Sequence, residues 1–491
     1  MASKLVKSSA LLVVMRFFQR TLGLISTLIL ARILLPADFG IIAIAALVIH
    51  FADIFSNTGI QQYVVQKTAL DDEDVNSAWT LDILLKGGMT LLLLASAPLL
   101  AHWYDNPSIG QAVAVLSSAI LLRAFMNPGL HILRRNLEYR AIFYLQLSQK
   151  ALSFIAVIMV ALLYQSFWAI VVGDLVSALV GVVMSYAVSR YRPRFSRQRM
   201  ATQWQFSKWM LSRGFIGYAR AQVDVFIVSR LFPLALLGQY NLSRELTVMP
   251  ANDVIVPAVE PLIAAFAQVK NDTVALLYQL QVALLAIVLF IAPVCVFMFL
   301  YADAIVALLL GPQWAAAAGI MRWLTILLFG FSLGGVLNNF CFALGRVKTV
   351  FYYDVASLLV IAATLLLMPI GSIEDFALLR GVLAVLTTGA FLGWLLHVFR
   401  APVWPVLGGI FTPLSAAVLS GFVAQQLYQG THWLGAGIAG VAFVLVYMAL
   451  ILGCARLLGG KIPAFAWLNT ALAQQVNQRF RRVKKQAEVS G

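Results

Sequence analysis

Charge is what this sequence has least of. Asp, Glu, Lys and Arg make up 11% of its 491 residues, whereas 62% are hydrophobic, and the mean hydropathy is +0.89. A soluble chain of this length cannot hide so much apolar surface, which excludes a soluble globular protein. Cysteine is nearly absent as well. Cys295, Cys341 and Cys454 all fall in apolar runs, without a CxxC pair or metal-ligand spacing, so neither a disulfide nor a metal site is expected. His50, His102, His131, His397 and His432 are scattered. There is no P-loop, no HExxH and no GxSxG, which leaves no motif for an enzyme and implies no cofactor. The net charge of +15 would suit nucleic acid, but the basic residues sit in alternate short loops between apolar runs. That is the distribution of a membrane protein, and no nucleic-acid partner is expected. The first apolar run is too long for a signal peptide, contains Arg16 and Arg20, and lacks a small-residue cleavage site.

What the sequence has is runs long enough to cross a bilayer. About fourteen can be laid out: 8–33, 39–60, 80–102, 109–127, 147–164, 167–188, 209–231, 236–260, 277–300, 316–343, 350–370, 376–399, 404–424 and 433–456. With the N-terminus inside, the inside loops hold Lys67, Arg134, Arg135 and Arg140, then Arg190, Arg192, Arg194, Arg197 and Arg199, then Lys270, Arg346, Lys348 and Arg400. The tail adds Arg479, Arg481, Arg482, Lys484 and Lys485. The opposite loops, around 35–38, 103–108, 165–166, 301–313, 371–375 and 425–432, contain no Lys or Arg. This asymmetry predicts a multi-pass protein of the cytoplasmic membrane with both termini in the cytoplasm. No outside loop is large enough for a folded catalytic domain. Segments 130–145 and 464–485 mix apolar and basic residues in a way that suits either an interfacial helix or an ordinary inside loop.

A phrase recurs. Arg32-Ile33-Leu34-Leu35-Pro36-Ala37-Asp38-Phe39-Gly40 closes the first run, and Arg230-Leu231-Phe232-Pro233-Leu234-Ala235-Leu236-Leu237-Gly238 closes the seventh. Arg32 to Arg230 and Gly40 to Gly238 share one offset of 198 residues (230 − 32 and 238 − 40), although the proline is displaced by one position. An even number of spans separates the copies. This predicts a six-span unit used twice in parallel orientation, with spans thirteen and fourteen outside the repeat.

The first of these phrases resembles the first-span exit motif of bacterial polysaccharide exporters. Gln66-Lys67, Leu310-Gly311-Pro312-Gln313-Trp314 and Ala343-Leu344-Gly345-Arg346 are similar to that family too. The resemblance covers most of residues 1–400. It is nearest to Wzx-type flippases like the colanic acid exporter, within the multidrug/oligosaccharidyl-lipid/polysaccharide superfamily. The resemblance implies an all-α membrane protein with two six-helix lobes in a V around a central cavity, working by alternating access. The lobes would be 1–200 and 201–400, with 401–491 supplying two extra helices and a basic tail. It implies transport of a polyprenyl-diphosphate-linked oligosaccharide to the periplasmic leaflet, with membrane lipids, a polysaccharide polymerase and chain-length machinery as partners. A flippase for the cell-wall precursor lipid and a drug or cation antiporter are the alternatives.

Ionisable residues inside spans mark the candidate site. An arginine at bilayer depth costs about 2.5–3.5 kcal/mol on an insertion scale, so two facing lipid on one helix would cost roughly twice that. Arg16 and Arg20 lie one turn apart in span one. Arg213, Gly217, Arg220 and Asp224 share one face of span seven by their spacings of seven and four. Arg16, Arg20 and Arg213 have no carboxylate nearby in sequence and read as an anion site, because guanidinium offers bidentate donors to phosphate. Arg220 joins them or is neutralised by Asp224 at i+4. Arg244 in span eight and Asn339 in span ten complete the substrate-binding set. Asp53 and Asp224 are candidates for ion coupling. Arg123, Arg322 and Arg380 lie toward span ends, where a long side chain snorkels. Pro250, Pro257 and Pro261 predict a kinked span eight, and Gly330, Gly334 and Gly335 predict close helix packing in span ten.

Overall fold

The computed structural model describes residues 2–56, 59–67, 69–428 and 433–470; the side chains of 2–10, 12–13, 65–66, 206–215, 433–434 and 436 lie outside that description. Every regular element in it is helical. Backbone contacts divide the chain into two units, Met1–Asn241 and Leu242–Gly491.

The first unit contains α1 (Ala2–Ile33), α2 (Pro36–Ser56), α3 (Ile60–Gln66), α4 (Asp72–Trp103), α5 (Pro107–Ala124) and α6 (Gly129–Arg135). It continues with α7 (Tyr139–Tyr164), α8 (Trp168–Val188), α9 (Met200–Leu231) and the start of α10 (Leu234–Pro250). Local chemistry fixes several of these ends. Asp71 and Asp74 form a capping box that starts α4, and the Asn106 side chain with Pro107 at N1 starts α5. Small residues set the packing: a Cβ on Gly173 in α8 would lie 2.1 Å from Val157 of α7. Likewise, Thr90 of α4 donates to the Ser117 carbonyl of α5 at 3.1 Å.

The repeat is visible in the helix bounds. Both α1 and α9 contain 32 residues, α9 starts and ends at the offset of the recurring phrase, and α10 starts at the same offset from α2.

The second unit begins within α10. A π-helical turn, Ala251–Ile255, leads into α11 (Val256–Val259) and α12 (Leu262–Gln268). Pro257 and Pro261 remove two amide donors from this path, so the chain that was expected to kink does so through a π turn and two short helices. Then come α13 (Thr273–Leu300), α14 (Ala302–Leu309), a 3₁₀ turn at Pro312–Trp314, and α15 (Ala315–Ala343). The last are α16 (Val347–Leu367), α17 (Ile373–Val398), α18 (Val403–Leu427) and α19 (Trp433–Leu458). At the centre is α15, where Leu328, Val336, Leu337 and Phe340 are buried against α12, α13 and α17. A Cβ on Gly330 would come within 3.0 Å of the Ala384–Val385 backbone of α17, so that glycine does serve close packing, whereas Gly335 has open space around it. Phe465, in the expected interfacial segment, is buried with Ile462, Leu285 and Ala455 instead.

Thirteen helices among the described residues are long and apolar enough to cross a membrane. Thirteen of the fourteen expected runs fall on them, and the other, 209–231, lies inside α9. The chain is a multi-pass, all-helical membrane protein.

Candidate functional site

The cationic face of α1 is open. Arg16 and Arg20 are both exposed, and Arg16 makes no ion pair with a described residue. Alongside them α1 packs on α7. Gln19 donates to Gln146 at 3.3 Å, and a Cβ on Gly23 would lie 3.4 Å from the Lys150 Nζ. Positions 16, 19, 20 and 23 fall on neighbouring rows of one helix, so Arg16, Arg20 and Lys150 place three cations around one strip of span one. Lys150 was missed by the sequence reading, although α7 begins at Tyr139 and carries it about three turns inside the helix.

The expected face of α9 is not uniform. The Arg213 side chain lies outside the described residues. Gly217 is exposed with nothing within 4 Å, and Arg220 is half-buried. Beside it Tyr218 donates to the Leu47 carbonyl of α2 at 2.7 Å and its ring lies 6.2 Å from Phe51. One turn beyond Arg220, Asp224 is fully buried. Its Oδ2 accepts from the Tyr240 hydroxyl at 2.9 Å and its Oδ1 from the Val225 amide at 3.0 Å. A buried carboxylate supplied with donors in this way is a structural joint between α9 and α10. Asp53 of α2 is exposed and makes no ion pair with a described residue.

The end of this unit that holds the α1–α2 and α9–α10 turns is tied shut. A Cβ on Gly40 would lie 2.1 Å from the Leu234 carbonyl oxygen, and one on Gly238 would lie 1.8 Å from the Pro36 carbonyl oxygen. Asp38 accepts from the Phe167 amide at 3.0 Å, and Tyr104 and Ser229 share a hydrogen bond of 3.0 Å. Arg230 donates to the Trp103 carbonyl at 2.9 Å and stacks over the Trp103 ring, 4.7 Å from its centroid.

Two expectations about snorkelling are corrected. Arg123 pairs with Asp174, joining α5 to α8, and Arg380 is 6% exposed, inside the α17 packing. Arg123 keeps part of its side chain exposed while pairing across two helices, whereas Arg380 is enclosed by protein. Arg322 does lie at a span end, where it pairs with Asp303 at 2.6 Å. A further pair inside a span, Asp82–Lys86 at 2.7 Å in α4, was also missed.

In the second unit, Arg244 is half-buried on α10 and its neighbour Glu245 is exposed. Asn339 does something specific. Its Nδ2 donates to the Val259 carbonyl at 3.1 Å. That carbonyl has lost its regular partner, because the Ile263 amide bonds Glu260 instead, at 3.3 Å. Asn339 therefore caps the break in the kinked span. The adjacent Asn338 Oδ1 is buried with no hydrogen-bond partner among the described residues. Between α13, α15, α17 and α18 lies a cavity of about 620 Å³, walled by Phe299, Phe329, Leu333, Leu392, Phe411 and Phe422. Its few polar walls are Thr325, Thr388 and Gln425, so it suits an apolar chain.

A family described as "Polysaccharide biosynthesis protein" matches residues 29–319. The chain is 27% identical to the succinoglycan biosynthesis transport protein ExoT of Rhizobium meliloti (strain 1021), over 86% of this chain and 88% of that one. It is 22% identical to the lipopolysaccharide biosynthesis protein WzxC of Escherichia coli (strain K12), over 68% and 69% respectively. Among solved structures, "Lipid II flippase MurJ, inward closed conformation" aligns with a TM-score of 0.70 at 14% identity, covering 91% of this chain and 98% of that one. An inward-facing multidrug resistance transporter of the MATE family aligns at 0.63 and 12% identity, covering 78% and 94%. These two likenesses establish the fold.

Proposed function

Because the chain belongs to the polysaccharide biosynthesis protein family, which spans residues 29–319, we propose that it is a transporter and not an enzyme, flipping a polyprenyl-diphosphate-linked oligosaccharide for surface polysaccharide synthesis. The substrate crosses from the cytoplasmic to the periplasmic leaflet of the bacterial inner membrane. The observation that carries the reading is the open Arg16–Arg20 face of α1 with Lys150 beside it. Three cations at span depth are costly in lipid and favourable against a diphosphate. The second unit, taken by itself, has an apolar cavity whose lining suits a hydrocarbon chain.

In this reading Arg213 and Arg220 extend the cationic surface of the first unit, Arg244 is a substrate-binding cation of the second, Asn339 holds the hinge of the kinked span, and Asp53 is the group available for ion coupling. Asp224 is less suited to that role because it is sealed by Tyr240. The lobes are 1–200 and 201–400, both termini are cytoplasmic, and alternating access moves the headgroup. The oligosaccharide then passes to a polymerase and chain-length machinery.

Depleting the protein separates this from the two neighbouring readings. Surface polymer should disappear while lipid-linked repeat units build up on the cytoplasmic leaflet. Arrest of cell-wall growth with intact surface polymer would favour a cell-wall precursor flippase. Drug sensitivity alone would favour an antiporter, although a surface rich in arginine is poorly matched to cationic drugs.

A further inference from the structure

The segment 189–199, which joins α8 to α9, is not helical, yet it is tied to α4 by a series of hydrogen bonds. It lies along the first turns of α4. Tyr191 donates to Asn76 Oδ1 at 2.9 Å, and the Arg194 amide donates to the same oxygen at 2.9 Å. The Ser196 amide donates to Thr80 at 3.0 Å, and the Arg199 amide to Ser77 at 3.1 Å. The Arg199 guanidinium closes the strap on Asp74 at 3.0 Å. Asp74, Asn76, Ser77 and Thr80 are all buried beneath it.

The other side of the strap is open. Arg190, Arg194 and Arg197 are exposed, and none of them makes an ion pair or side-chain hydrogen bond with a described residue. All three therefore present their guanidinium groups to the surroundings and not to α4. Between and beside them stand two exposed aromatics. Phe195 is 70% exposed with its ring 5.1 Å from that of Trp79, and Trp204 in the first turns of α9 is 43% exposed. The strap is anchored at one end to the end of α8 and along its length to the start of α4, both of them candidate spans. It therefore lies at the level where apolar helix meets polar surface.

We propose that this strap is a docking surface for anionic phospholipid. Arg190, Arg194 and Arg197 hold lipid phosphates, while Phe195 and Trp204 enter the boundary between headgroups and acyl chains. Guanidinium matches phosphate geometrically, and aromatic rings partition to this depth. A soluble anion would use the arginines and leave the aromatics idle. The backbone is already ordered by its bonds to α4, so binding costs little conformational entropy. This surface is separate from the Arg16–Arg20 face and gives the membrane itself a grip on the connection between the two repeats.

The test uses the full-length protein in detergent, incubated with phosphatidylglycerol or with phosphatidylcholine, and counts retained lipid by native mass spectrometry. Phosphatidylglycerol should be retained several-fold more than phosphatidylcholine. Replacing Arg190, Arg194 and Arg197 by Gln should abolish that preference without shifting thermal unfolding, because these side chains make no internal bonds. Hydrogen exchange on the unmodified protein gives a second readout. Amides of 189–199 should be better protected in phosphatidylglycerol nanodiscs than in phosphatidylcholine nanodiscs. Equal retention by the parent and the triple Gln variant would overturn the proposal, as would equal protection in the two lipids. Removal of the preference by inorganic phosphate, with no effect of Phe195→Ser or Trp204→Ser, would assign a soluble-anion site and overturn it too.

Discussion

Gly238 of α10 rests directly on the backbone of Gly40 of α2: a Cβ built on Gly238 would lie 2.8 Å from the Gly40 amide nitrogen. The contact is reciprocal. Gly40 faces the Leu234 carbonyl and Gly238 faces the Pro36 carbonyl, and each residue of one pair is the repeat counterpart of one in the other. The two copies of the recurring phrase thus meet through themselves, as identical surfaces meet across a two-fold axis. Only glycine permits backbone to approach backbone this closely.

Substitution at either position has a definite consequence. The opposing atoms are main chain and cannot swing away, so even alanine must push α2 and α10 apart. Gly238→Ala and Gly40→Ala should each destabilise the protein by at least the roughly 1–3 kcal/mol typical of overpacking, and valine by more. Thermal unfolding in detergent measures this. An unchanged midpoint for Gly238→Val would show that the two helices do not touch in the membrane-embedded protein.

Asn339 offers a second test, because it was read from sequence as a substrate ligand and is found capping a helix break. Asn339→Ala strips the Val259 carbonyl of its donor and should cost about 1 kcal/mol, the net worth of one hydrogen bond. Export should fall in step with stability. Loss of export at an unchanged unfolding midpoint would return Asn339 to the substrate surface.

A pH dependence follows from His131 on α6. Burial, reinforced by the nearby positive charges of Arg134 and Lys86, pushes its imidazole down from 6.5 to about 3. Its Nδ1 is buried without a hydrogen-bond partner among the described residues. The folded state therefore keeps His131 neutral where the unfolded chain takes up a proton. Its contribution to stability is complete above pH 6.5 and is lost progressively as pH falls from 6.5 toward 3. His131→Gln should flatten the acid side of the stability profile between pH 4.5 and 6.5 and leave the profile above pH 7 unchanged. An identical acid slope in the variant would place the responsible group elsewhere.

Spans were legible because lipid tolerates little but apolar side chains, and the repeat was legible because its phrase sits at a sharp turn. Span starts were less so. Hydropathy places the third span at 80 and the fifth at 147, whereas α4 begins at Asp72 and α7 at Tyr139. Polar first turns belong to the helix when their groups are paired, as Asp74 is with Lys67 and Arg199. That shift explains why Asp82, Lys86 and Lys150 are absent from the sequence candidates: they fall in the first two turns of runs that start at 80 and 147, but well inside α4 and α7. Side-chain roles fixed by distant partners were not legible at all. Asp224 meets Tyr240 and Asn339 meets Val259 only after folding.

The most direct measurement of the central claim concerns Arg16 and Arg20. Arg16→Ala/Arg20→Ala, expressed at the level of the parent, should insert normally, since apolar substitution at that depth favours the bilayer. It should nevertheless leave lipid-linked repeat units on the cytoplasmic leaflet and deplete polymer from the cell surface. The corresponding Lys pair should restore export only in part, because lysine keeps the charge but loses the bidentate fork. Quantifying surface polymer beside retained lipid-linked repeat units decides the matter. Accumulation in the Ala pair with partial rescue by Lys is the predicted result, and undiminished surface polymer in the Ala pair would contradict the account.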